Sequence, residues 1–522
     1  MQQLHIGVSM NKWPRAASAD VLFISEGAYP YISGGVSAWM QTIMTAMPEI
    51  KFAVVFLGSQ PEDYQGIKYE LPQNLVDFRE HYLFATPDNI ANKSKKIHNS
   101  VMAGLAELHD CFKSTEIKDY QKVLQHITAI FAKEHGISYA QFLQSPDIWE
   151  FITERYSTFS TESSFIDYFW TVRNIHAPLW VLADCLHDLP EVKVVHAVST
   201  GYAGFYASII KDKYNVPVIL TEHGIYTKER RIELLQSQIV KEQNILTRVA
   251  DVDYLRNMWI KFFESLANMC YAVSSHIFSL FNGAKYRQKL DGAPVAKQRV
   301  IVNGIDIAKL RQFRHHIASG AKRICLLGRV VPIKDIKTFI RAVNDLSNNI
   351  KDFSVWIVGP TDEDPGYFAE CQNLVNTLSL QTIISFKGKL QLSDVLPHID
   401  LMVLSSISEG MPLVILEAFA AGIPVVATNV GACEELIAGA EDERPSLGMA
   451  GRVVQIANAQ VLAAAMRDML VAKNWHEASK VAIARVEKYY DLATMISSYR
   501  DVYNEFIIRE TLNSGADNIN KL

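Results

Sequence analysis

The chain has no CxxC pair, no long uninterrupted apolar run, no excess of basic charge and no short-period repeat. Each absence removes a class of protein. The six cysteines, Cys111, Cys185, Cys270, Cys325, Cys371 and Cys433, are widely scattered, so neither a disulfide framework nor a zinc knuckle is suggested and a reducing cytoplasm fits. Lys plus Arg number 51 against 56 Asp plus Glu, a net charge of -5, which argues against a strongly basic binder of nucleic acid or anionic membrane. The opening "MQQLHIGVSMNKWPRAASAD" has no continuous apolar core, so residues 1–19 read as a loose leader without a secretory signal. The most membrane-like window, residues 413–432, is interrupted by Glu417, Gly422, Pro424 and Asn429. A helix, a turn and a strand explain it better than a span of roughly 20 lipid-facing residues.

What is present is a chain of 522 residues, 49% hydrophobic and 20% charged, long enough to bury two cores. The β-rich run "DVLFIS" (20–25), a glycine turn, the helical pattern "VSAWMQTIMTAM" (36–47) and the run "KFAVVFLG" (51–58) form the start of a βαβ unit. Residues 89–189 are amphipathic and aromatic-rich, which predicts a helical insertion; its Tyr, Trp and Phe content suits either a private core or a partner surface. Strand-like runs resume at 192–197, 217–224, 270–274 and 299–304. A second series begins at "RICLLG" (323–328) and continues at 353–359, 382–388, 401–406, 424–428 and 451–455, with helices between. The fold class expected is α/β, two doubly wound parallel-sheet units.

The boundaries follow from these series. Residues 20–312 form the first domain and 313–482 the second, with the polar, basic stretch 305–321 as linker. Residues 483–512 read as a C-terminal helix crossing back to the first domain, and 513–522 as a frayed tail.

Open α/β sheets bind ligands outside the carboxyl ends of their strands, so candidate residues are those just after strands. In "EGAYPYISGGVSAW" (26–39), Gly34 and Gly35 separate the first strand from its helix, where backbone N–H groups can approach a phosphate. Glycine is also common in tight turns for conformational reasons alone. "GRVVPIKD" (328–335) places Arg329 after a strand and Lys334 ahead of a helix, a pair suited to a diphosphate whose charge grows as a leaving group departs. In "SEGMPLVILEAFAAGIPVVAT" (408–428), Glu409 stands in a loop beside Gly410, Met411, Pro412 and Leu413, and Glu417 follows a little over two helical turns later. One carboxylate could hold a sugar ring and the other a ribose. His223 in "TEHG" suits a cleft wall, while His196 reads equally as a satisfied structural histidine. Asp251 with Asp253 and Asp362 with Asp364 form Asp-x-Asp pairs, better explained by solvation than by a metal.

Taken together, "GRVVPIKD" and the Glu409/Glu417 spacing resemble the retaining GT-B glycosyltransferases of family 4 and their Glu-x7-Glu motif. "EGAYPYISGGVSAW" with "TEHGIYTKERRIEL" is similar to the PelF-like branch, cytoplasmic enzymes of the Pel exopolysaccharide system active in biofilms. The resemblance spans about residues 20–510 and is weakest in the insertion. It implies two Rossmann-like domains facing a central cleft and transfer of a sugar from a UDP-sugar, such as UDP-glucose or a UDP-hexosamine, to a growing polysaccharide. Arg329 and Lys334 would bind the diphosphate, Glu417 the ribose and Glu409 the sugar hydroxyls. Backbone N–H groups of 410–413 would assist, Gly34 and Gly35 would face the reacting centre, and His223 would approach the 6-hydroxyl. His223, Glu409, Arg329 and Lys334 are the implied catalytic group, with no cofactor and no metal. Bacterial glycogen synthases, which carry a Lys beside the glycine pair, are disfavoured by Ile32 and Ser33. Inner-membrane synthase components would be partners, recruiting a chain without an anchor of its own. Two rival readings stay open: a catalytically silent sugar-nucleotide-binding scaffold, and a nonhydrolysing UDP-sugar epimerase.

Overall fold

The computed structural model describes residues 13–84, 97–111, 119–131, 137–159, 164–236, 249–315 and 321–519. The chain divides into two units: one runs to Phe278 and adds Gln288–Arg299 and the segment from Tyr499, the other comprises Ser279–Arg287 and Val300–Ser498.

In the first unit, β1 (Ser18–Glu26), β2 (Phe52–Gly58), β3 (Leu75–Tyr82), β4 (Glu191–Ala197), β5 (Val218–Glu222), β6 (His276–Ser279) and β7 (Gln298–Val300) form one sheet in the order β3-β2-β1-β4-β5-β6-β7. The pairs from β3 through β5 are parallel. Every residue of β2 is buried, as a strand covered on both faces requires. The order reverses at β1, so the carboxyl ends of β1 and β4 border the crevice where such sheets bind ligands.

Between β3 and β4 the described residues form helices Asn99–Asp110, Tyr120–Ile130, Tyr139–Gln144, Pro146–Phe159 and Phe165–Cys185. Their apolar faces, including Leu105, Ile127, Phe142, Val172 and Leu179, join the same core as Leu22 and Val55 of the sheet. Trp149, Ile166 and Trp170 stay exposed.

The second unit holds β8 (Lys322–Leu327), β9 (Phe353–Val358), β10 (Ile384–Gly388), β11 (Leu401–Leu404), β12 (Val425–Thr428) and β13 (Gly451–Val454), all parallel, in the order β10-β9-β8-β11-β12-β13. Alternate residues serve opposite layers: Cys325 and Met402 enter one core, Ile324, Leu326, Leu401 and Val403 the other. All six cysteines are buried and unbonded to one another. Among the described residues no helix is long and apolar enough to cross a membrane.

Several expectations are corrected. Residues 270–274 end the helix Val249–Val273 instead of forming a strand, and the strand that follows is β6. β3, unanticipated, is an edge strand whose Asp77, Arg79 and Glu80 break the apolar pattern. The end of the leader is docked: Trp13 packs on Phe78 with ring centres 4.1 Å apart and donates to Glu80. The supposed linker packs on the second unit, where Asp306 caps the helix Ile307–Leu310, Leu310 is buried and Arg314 donates to the Ala420 carbonyl. The single C-terminal helix is two, Ala472–Tyr489 and Leu492–Ile519, so helix also continues beyond residue 513. At the break, Ile305 bonds the backbone of Tyr490 and Leu492.

Candidate active site

In the second unit three loops at the carboxyl ends of β8, β11 and β12 meet. After β8 the chain turns through Pro332–Lys334, and Asp335 in the left-handed region (φ 44°) caps the helix Ile336–Ser347 by accepting from the Thr338 N–H. The loop after β11 is tied to it twice: the Ile407 N–H donates to the Ile333 carbonyl at 2.8 Å, and the Ser405 hydroxyl to the Lys334 carbonyl at 2.8 Å. The loop after β12 closes on the same place. The Ala432 N–H donates to the Gly410 carbonyl, and a Cβ on Gly431 (φ +55°) would fall 2.2 Å from that oxygen. Only glycine permits this approach.

These ties bring Lys334 and Glu409 together. The Lys334 ammonium donates to Glu409 Oε1 at 2.6 Å, and the Ser406 hydroxyl donates to the same oxygen at 2.6 Å. Glu409 Oε2 accepts from no described residue. Arg329 is turned elsewhere, pairing with Glu363 at 2.5 Å where both side chains are about half exposed. An exposed pair contributes about 0–1 kcal/mol, so this guanidinium is readily exchanged to another anion. The helix Leu413–Ala420 starts behind Pro412 without a side-chain cap, leaving its first N–H groups free of one. Glu417 lies on that helix, half-buried and without a hydrogen-bond partner among the described residues; burial pushes its carboxyl up to about 7.

The first unit holds the other candidates. Gly34 and Gly35 are exposed, a Cβ on either would meet nothing, and the helix Gly35–Ala46 opens without a side-chain cap or an acid in its first turn. Upstream, Tyr29 donates to Gln41 and Tyr31 to Glu80, anchoring the turn. His223 follows β5 with its ring 4.6 Å from that of Trp39. Its Nε2 is enclosed and unpartnered among the described residues, and burial pushes its pKa down to about 4, so the imidazole is neutral near pH 7. His196 is saturated: Tyr503 and Thr221 each bond one ring nitrogen at 2.8 Å, and Phe23 stacks on it. Its role is structural.

Asp364 caps the helix Pro365–Thr377 by accepting from the Tyr367 N–H, which accounts for that acid. The side chains of Asp251 and Asp253 lie outside the described residues. Trp39 and Ser406 are contributors the sequence reading missed. Both stood inside or next to quoted motifs, yet only their long-range contacts with His223 and Glu409 reveal them.

Residues 19–296 match the family described as "Domain of unknown function (DUF3492)", and residues 321–472 match "Glycosyl transferases group 1". No curated protein matches the chain. Among solved structures, Anabaena Alr3699/HepE in complex with UDP and glucose is 14% identical, with a TM-score of 0.54 over 93% of this chain and 99% of that one. The same protein with UDP-glucose gives 15% identity and a TM-score of 0.52 over 95% and 100%. Sucrose-phosphate synthase (tll1590) from Thermosynechococcus elongatus gives 14% identity and 0.56 over 94% and 100%. At such identities the likeness establishes the two-domain fold, and the group 1 domain establishes the glycosyltransferase.

Proposed function

Because the chain belongs to the family described as a domain of unknown function, DUF3492, and continues into a group 1 glycosyltransferase domain, we propose that it is a retaining glycosyltransferase that moves a sugar from a UDP-sugar to a growing exopolysaccharide. The observation that carries the proposal is the pairing of Lys334 and Ser406 on one oxygen of Glu409 while the other oxygen and the Glu417 carboxylate stay open. A carboxylate accepts several hydroxyl hydrogen bonds, so Glu409 Oε2 would take those of the donor sugar and Glu417 those of the ribose. HepE, whose structures hold UDP, glucose and UDP-glucose, supports a UDP-linked donor.

The chemistry follows from charge. As the bond from the anomeric carbon to the diphosphate oxygen breaks, negative charge grows on the phosphate, where Lys334 and Arg329 stabilise it. The acceptor oxygen then bonds to that carbon on the same face, and its proton passes to a phosphate oxygen of the leaving UDP. In the first unit, neutral His223 keeps an enclosed Nε2 that has no partner among the described residues. The N–H groups of Gly410, Met411 and Leu413 add dipoles, and no metal is assigned a role. In a Pel-type system the enzyme would work in the cytoplasm, brought to inner-membrane synthase components through partners.

The test is product analysis. The purified protein is incubated with UDP-glucose, UDP-galactose and UDP-N-acetylhexosamines, with and without oligosaccharide acceptors, and the anomeric configuration of any product is read by NMR. An α-linked product from an α-linked donor supports the reading. Interconversion of sugar nucleotides without acceptor would indicate an epimerase, and binding without any turnover the scaffold.

A further inference from the structure

The first unit has a cavity of about 460 Å³ that none of the donor residues enters. It opens where Glu26 ends β1 and Gly58 ends β2, with Leu83 and Ser199 just past β3 and β4. This is the carboxyl edge of the sheet. The far wall comes from the helices Tyr226–Gln236 and Val249–Val273, through Arg230 and Trp259. Its volume lies within the roughly 300–1,000 Å³ of sites that enclose drug-sized ligands, enough for a short saccharide.

The lining is of two kinds. Trp259 and Phe84 offer aromatic rings, one half-buried and one exposed, while Glu26 and Arg230 offer fixed polar groups. Glu26 is held in place: Tyr226 donates to its Oε1 at 2.7 Å, and the Ser199 hydroxyl and the Ala203 N–H donate to Oε2 at 3.2 and 3.0 Å. The Arg230 guanidinium lies over the Tyr226 ring at 5.0 Å and is neutralised by Glu233 at 2.6 Å.

That combination discriminates among ligands. A phosphate finds the one cation among the described lining residues, Arg230, already paired, and three carboxylates, Glu26, Glu229 and Glu233, around it. An alkyl chain would bury Glu26 and Arg230 without bonding them, which disfavours it. A pyranose meets both demands, since its C–H faces stack on aromatic rings and its hydroxyls bond a carboxylate and a guanidinium.

Resting on the glycosyltransferase reading above, we infer that this cavity is an acceptor subsite that takes the terminal sugars of a saccharide chain, stacked on Trp259 and Phe84 and hydrogen-bonded by Glu26 and Arg230. The acceptor class is therefore a carbohydrate, in preference to a lipid or a protein hydroxyl. The test titrates the full chain with trisaccharides of glucose, galactose, N-acetylglucosamine and N-acetylgalactosamine by calorimetry and tryptophan fluorescence, alongside UDP. Expected is binding of at least one trisaccharide, weakened about tenfold or more by Trp259→Ala, by Arg230→Gln and by Phe84→Ala, with UDP affinity within about twofold of the parent. Phe84 is 43% exposed, so its variant leaves the core intact. No binding of any trisaccharide, or unchanged binding in the three variants, overturns the assignment. If UDP fails to bind while the variants still lose the saccharide, the donor reading falls and the cavity's assignment stands.

Discussion

UDP-glucose should bind about tenfold more weakly near pH 6 than near pH 8, and Glu417 should be the cause. Burial holds its carboxyl at about 7 in the free protein, with no charged neighbour contributing. To accept ribose hydroxyls it must be ionised, so binding draws on the deprotonated fraction alone; that fraction is about a tenth near pH 6 and about nine-tenths near pH 8. UDP-glucose is the right probe because its esterified diphosphate does not titrate in this window, unlike the terminal phosphate of UDP. Calorimetry in buffers of different ionisation enthalpy should show a proton released on binding near neutral pH. Glu417→Gln should bind more weakly and with a flat profile. Glu222 is the necessary control: burial also raises it to about 7, but it is fully buried and bonded by Tyr271, Gln288 and Thr200, out of reach of any ligand. Glu222→Gln should leave the profile as it was. A tenfold slope that survives Glu417→Gln, or a flat profile in the parent protein, would refute the reasoning.

The same shift acts on stability. The folded state holds the Glu417 proton more tightly than the unfolded chain, so its contribution is fully present below about pH 4.5 and lost as pH rises through about 7; Glu417→Gln should gain at most about 3 kcal/mol near pH 8 in urea unfolding. Lys334→Ala should lower turnover roughly 10²–10³-fold with the fold intact by circular dichroism. Gly431→Ala should destabilise the second unit by about 1–3 kcal/mol, seen in the denaturation midpoint, because the left-handed backbone and the 2.2 Å approach to the Gly410 carbonyl leave no room for a methyl group. His196→Phe should lower stability by about 1–3 kcal/mol by leaving the Tyr503 and Thr221 hydroxyls without their ring partner, a loss readable in the same assay.

Most of both sheets was legible because buried parallel strands are continuous apolar runs. β2 and β12 have no exposed residue, and their sequences, "FAVVFLG" and "VVAT", show it. β3 was hidden by the reverse cause: as an edge strand it carries Asp77 and Arg79, which bond each other. The run 270–274 misled because the long helix ends on apolar residues just before a four-residue strand whose first side chain is His276. Residue types and spacing named Arg329, Lys334, Glu409 and Glu417 as candidates. What spacing could not convey was the pairing: Lys334 with Glu409 across 75 residues, and His196 with Tyr503 across 307. Such contacts depend on the strand order. Nor did spacing indicate that Arg329 would turn to Glu363 instead of joining Lys334.

The central claim is that the second unit binds the diphosphate of a UDP-linked donor through Arg329 and Lys334. Calorimetric titration with UDP, ADP and GDP, repeated for UDP with the double substitution Arg329→Ala and Lys334→Ala, tests it most directly. The account predicts selective binding of UDP that the double substitution abolishes. Equal binding in the doubly substituted protein, or no nucleotide binding by folded parent protein, would contradict it.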